Sequence, residues 1–128
     1  MRILLIEDKP DHIFLACQAI KQVWPEPTLH IARHVEEVKA RYCSVGAPTR
    51  FGLILVSLDS RDSHRLLGLR QIQTHPQLND TPVIAMASST RDQELAQVAH
   101  HPLEWIILKP LRAEALREAI RRRPLSAA

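Results

Sequence analysis

The chain has 128 residues and a formal net charge of +3, with 45% hydrophobic, 24% charged and only 4% aromatic residues. That length is one domain able to bury its own core, and the ordinary composition excludes disorder. An excess of 17 basic over 14 acidic residues is too small to argue for nucleic acid, and no run of about 20 apolar residues is available to cross a membrane.

The chain opens on a strand pattern, "RILLIE", whose apolar core is too short for a signal peptide and stops at once at Glu7 and Asp8. A first helix follows Asp8, with Pro10 in its first turn and Ile13, Cys17, Ile20 and Trp24 on one face, and "WPEP" ends it. The strand "TLHIA" leads to a second helix carrying Val35, Val38, Tyr42 and Val45. After it comes "FGLILVSL", an apolar run that ends among Ser57, Asp59 and Ser60.

A third helical stretch places Leu66, Leu69 and Ile72 on one face and stops near His75 and Pro76. "TPVIAMA" is the fourth strand, and the Ser/Thr/Asp-rich "SSTRDQ" opens a helix with Leu95, Val98 and Ala99 on its apolar side. "EWIILK" is the fifth strand. The last helix begins after Pro110, buries Leu111, Ala115, Leu116, Ala119 and Ile120, and runs to Arg121–Arg123, a basic end suited to the helix dipole.

Five strand–helix repeats, with the first, third and fourth strands apolar on both faces, predict a parallel sheet covered by helices on each side. One domain over residues 1–123 and a loose tail at 124–128 are expected. Cys17 and Cys43 lie in separate helical patterns with no metal-ligand spacing, so free thiols in a reducing cytoplasm are expected. His100 and His101 are adjacent and beside Pro102, which suits a solvated helix end and not an i, i+4 ligand pair.

In such a sheet the carboxyl ends of the strands converge. Glu7 and Asp8, the Ser57–Asp59 turn, Ala87, Ser88 and Lys109 should therefore share one edge, where ligands bind in open α/β sheets. Two carboxylates beside a lysine are a reasonable divalent cation site with a charge clamp; the plainer reading is surface acids paired with the lysine. His12, one turn after Asp8, is placed to touch this pocket, with solvent exposure as its default.

The ordered motifs "ILLIEDKPDH", "GLILVSL", "HPQLNDTPVIAMASS" and "IILKPL" together resemble the receiver domain of two-component response regulators, over nearly the whole chain from Arg2 to about Arg122. The "HP…L…TPVI" segment resembles the small stand-alone regulators that accompany bacterial phytochromes. The resemblance implies a doubly wound (βα)5 flavodoxin-like three-layer sandwich. It also implies that an aspartate ending the third strand takes a phosphoryl group from a kinase histidine, with Mg²⁺, an acidic pair, a Ser or Thr ending the fourth strand and a Lys before Pro assisting. Glu7, Asp8, Lys109 and Pro110 match that pattern.

The acceptor does not match. Laying "GLILV" on the family's usual run puts Ser57 at the acceptor position, Ala87 at the switch hydroxyl, with Ser88 next to it, and Ile106 at the aromatic switch position. A serine hydroxyl without a placed base is a poor nucleophile, and Ala87 removes a donor to the phosphoryl oxygens. Asp59, two residues later on the same side of the alternation, is the alternative: a relocated acceptor working with Mg²⁺, displaced by more than phosphoryl transfer tolerates. A phosphohydrolase using the same carboxylates ranks last, for want of a placed nucleophile.

The sequence therefore points to a bacterial, cytoplasmic pseudo-receiver in phosphorelay signalling that acts by protein binding and is not an enzyme. No cofactor is required, and Mg²⁺ binding at Glu7 and Asp8 is weakened by the missing carboxylate. Partners implied by the resemblance are a sensor histidine kinase, another signalling protein or a second copy, with no nucleic acid and no membrane. Trp105, Ile106 and Arg112 mark the contact surface that receivers commonly use, and Trp is a frequent hot-spot residue.

Overall fold

The computed structural model describes residues 1–43, 49–58 and 63–125, without the side chains at 63–65, 95 and 98. The expectations for Val45, Asp59, Leu95 and Val98 lie outside the described residues or side chains. The elements run β1 (Arg2–Ile6), α1 (Pro10–Val23), β2 (Thr28–Ala32), α2 (Val35–Tyr42), β3 (Leu53–Leu58), α3 (Ser63–Thr74), β4 (Val83–Ala87), α4 (Thr90–Val98), β5 (Ile106–Leu108) and α5 (Ala113–Arg122), with a 3₁₀ turn at Leu103–Trp105. The strands form one parallel sheet in the order β2-β1-β3-β4-β5. This is the doubly wound α/β sandwich expected from the repeats.

Strand alternation divides the core cleanly. Ile3, Leu5, Leu53, Leu55, Ile84 and Met86 point to α1 and α5, against Ala16, Ala19, Ile20, Leu116 and Ala119. Leu4, Ile6, Ile54, Val56, Ala85 and Ala87 point the other way, against Val35, Val38, Leu69, Ile72 and Ala96 from α2, α3 and α4. All six residues of β3 are buried, as a central parallel strand requires.

Two boundaries differ from the sequence reading. Helix α5 starts at Ala113, so buried Leu111 packs from the preceding loop and not from the helix. At the other end, Leu125 packs against the α1/α5 core, which corrects the loose tail at that residue. Cys17 and Cys43 are free and half-buried, and burial raises both thiols above their ordinary pKa. No helix among the described residues is long and apolar enough to cross a membrane.

Candidate functional site

The alternation that builds the α1/α5 core also builds the site. Ile3 and Leu5 face α1 and α5, so two residues on, past the end of β1, Glu7 lies on that side; Leu53 and Leu55 do the same for Ser57. Strands β1 and β3 are neighbours, and the carboxyl end of β5 delivers Lys109 beside them, just before the cis Lys109–Pro110 peptide. Glu7 is 1% and Ser57 2% exposed, so each needs an internal partner.

Lys109 supplies it. Its ammonium donates to Glu7 Oε1 at 2.5 Å and to Ser57 Oγ at 2.5 Å, and lies 2.9 Å from His12 Nδ1. An ammonium has three donors and no acceptor, so His12 Nδ1 is the acceptor here and every donor of Lys109 has a partner. Glu7 Oε2 accepts from the backbone N–H groups of Asp8 at 2.9 Å and Lys9 at 3.4 Å. His12, half-buried with Nδ1 3.4 Å from Glu7 Oε1, is thus part of the cluster; the default of a solvent-exposed ring is corrected by the close of the first turn of α1 over the site.

The remaining sequence-selected residues are distributed around this knot. Ala87 is fully buried in the α2–α4 core, on the opposite side of the sheet from Lys109. Ser88 is exposed; its backbone N–H bonds Asp92 Oδ2 at 3.0 Å and its hydroxyl lies 3.4 Å from the Leu58 carbonyl. It lines, with Glu7, His12, Leu15, Met86 and Lys109, a cavity of about 420 Å³. Asp8 is exposed beside the cluster.

Among the described residues no group of three His, Cys, Asp or Glu side chains is arranged to hold a metal ion. Both oxygens of Glu7 are engaged, one of them by a cation, and Ser57 brings a neutral oxygen. The nitrogen against the Ser57 hydroxyl is a donating ammonium, which takes no proton.

The expected contact residues divide by exposure. Trp105 is 4% and Ile106 7% exposed, which corrects their assignment as presented side chains; Arg112 is exposed. The indole N–H of Trp105 donates to the Arg123 carbonyl at 3.0 Å, and the ring lies under the Arg123 guanidinium at 5.1 Å. Among the described side chains, Leu103 and Leu108 are the large apolar ones exposed near it. His101 is buried as well, not solvated, and sequence spacing gave no signal for that.

No family model matches the chain, and neither does any curated protein. Solved structures do. The bacteriophytochrome response regulator AtBRR aligns with a TM-score of 0.77 at 22% identity, over 94% of this chain and 89% of that one. The Mn²⁺-bound form of response regulator Rcp1 aligns at 0.67 and 21% identity, over 99% and 96%. The phosphorylated cyanobacterial phytochrome response regulator RcpA aligns at 0.68 and 22%, over 99% and 95%. At such identities the likeness carries architecture, and on that ground the chain has the fold of the response regulator receiver domains.

Proposed function

We propose that the chain is a receiver-like module of two-component signalling that does not accept a phosphoryl group at the third-strand position and works by binding another protein. The observation that carries this reading is the Lys109 knot: a built-in ammonium is already paired with the acidic side chain and with the neutral Ser57 hydroxyl, at the position where the resemblance to receiver domains implies an acceptor carboxylate. A divalent cation at this cluster would have to displace a cation that is already hydrogen-bonded, so affinity for Mg²⁺ is low. Partners of the histidine kinase type, including photoreceptor kinases, fit the structural neighbours named above, and Arg112 with exposed Leu103 and Leu108 is the face we assign to them.

The test is the intact mass of the protein after incubation with Mg²⁺ and acetyl phosphate, alongside Asp59→Asn. No added mass is expected in either protein. A phosphoryl adduct that disappears in Asp59→Asn would overturn the proposal and make Asp59 a relocated acceptor.

A further inference from the structure

The sheet ends on one side in β2, five residues with no charge, no proline and an unbroken register on β1. Edge strands are normally guarded by such features or by being very short, as β5 is at three residues. Thr28 N–H bonds the Met1 carbonyl and Glu7 N–H bonds the Ala32 carbonyl, so Thr28, His30 and Ala32 pair with β1, and the alternation turns the N–H and C=O groups of Leu29 and Ile31 outward. Ile31 is 37% exposed on this rim.

Helix α1 continues the apolar surface. Its flank toward α5 carries His12 and Leu15, which share a cavity with Pro110 and Leu111, and Gln22, whose carbonyl accepts from Arg117 at 2.7 Å. The other flank therefore overlooks β2: Ile13, Cys17 and Trp24 are half-buried there, against the same core as Leu29, and beside them Phe14 stands 61% exposed. A rim of main-chain donors and acceptors under a shelf of apolar side chains is a surface that accepts another strand.

We propose that this surface pairs with a second copy of the chain, β2 against β2, in antiparallel register about a twofold axis at His30. Leu29 of each copy then faces Ile31 of the other, and the two residues exchange both of their N–H···O bonds. The same register sets the Glu26 end of each strand against the Arg33–His34 end of the other, acid to base, whereas parallel pairing would put like ends together. The axis stands perpendicular to the sheet, so both α1 helices lie on one face of a continuous sheet and bring their Phe14 side chains over the seam. Such a contact is isologous and closes as a dimer. Because β2 and β5 are opposite edges, pairing leaves the face assigned to the signalling partner open.

The test is sedimentation velocity of the whole chain over a range of concentrations, with amide hydrogen exchange at Leu29 and Ile31 alongside. A monomer–dimer equilibrium is expected, in which these two amides gain protection as the concentration rises. Ile31→Lys, which sets like charges into the seam, should raise the dissociation constant by about tenfold or more while the circular dichroism spectrum stays that of the parent. Phe14→Ser and Glu26→Gln should each weaken the dimer several-fold, and Leu103→Ser, at the other edge, should leave it unchanged. A monomer at every concentration up to millimolar overturns the proposal, whatever else the edge binds. So does a dimer that survives Ile31→Lys and yields to Leu103→Ser, which would place the contact at β5, or one that Glu26→Gln tightens, which would make the pairing parallel.

Discussion

Lys109 turns a potentially expensive burial into a stable one. Glu7 and the Lys109 side chain, 2% and 10% exposed, meet at 2.5 Å, and a buried pair of this kind is stabilising only while both members are present. Lys109→Met should destabilise the fold by about 3–5 kcal/mol, and Glu7→Gln added to it should recover most of that loss; denaturant unfolding of the two variants decides it. Ser57→Asp replaces a neutral partner of the ammonium by an anion and should bring measurable Mg²⁺ affinity, read by calorimetry. Glu7, Ser57 and Lys109 were legible because each follows from the parity of a strand. His12 was half-legible, since its spacing placed it near the pocket without showing that Lys109 needed a third acceptor.

His101 was not legible at all, because burial of a residue in a connection depends on what packs over it. Burial, then the neighbouring Arg123 charge, hold its imidazole below the ordinary histidine value, against contacts with the Val83 and Trp105 backbone that favour the charged ring. The unfolded ring then takes up a proton that the native ring refuses. Stability contributed by the neutral ring is present above the unfolded value of 6.5 and is lost as pH falls toward the lower folded value. The melting temperature should drop as pH falls below neutrality, and His101→Asn should flatten that limb.

At the scale of elements, the connections account for most departures from the sequence reading. Helix α4 ends in a left-handed residue, His100 at φ 60°, and the bonds His101 N–H to Ala96 O and His100 N–H to Gln97 O are those of a Schellman motif. Glycine is the usual occupant of that position. His100→Gly should stabilise the protein by about 0.5–1 kcal/mol, the left-handed penalty less the entropy of glycine, as a small rise in melting temperature. The motif turns the chain inward and so buries His101. Trp105 was misread for a related reason: a 3₁₀ turn, and not the fifth strand, carries it, and its indole lies in the α1/α5 core.

The strands and helices themselves were legible because the periodicities of 2 and 3.6 leave little choice when both faces of a strand are apolar. The basic helix end also behaves as composition implies. Arg121 and Arg122 both bond Glu118 and hold its carboxyl down to about 2, but the group is solvated and this contributes little to stability.

For the whole molecule, one sheet serves two cores. Leu55 belongs to the α1/α5 core and Ile54, its neighbour on the same strand, to the α2–α4 core. Leu55→Ala and Ile54→Ala should each cost about 2–5 kcal/mol and leave a single cooperative transition, since neither layer keeps its strand without the other. Two separated transitions in either variant would mean that the layers are independent. A parallel sheet covered by helices on both faces followed from the sequence, because right-handed crossovers admit few alternatives; the order β2-β1-β3-β4-β5 and the side taken by each helix came with the structure.

The partners of Lys109 also fix when the knot ties. It reaches Ser57 across 52 residues, His12 across 97 and Glu7 across 102, separations whose closure entropy is recovered only after the sheet is assembled. The knot therefore forms after the rate-limiting crossing, and its energy is held in the barrier to leaving the native state. Loss of Lys109 should quicken unfolding while the refolding arm of the chevron stays where it was.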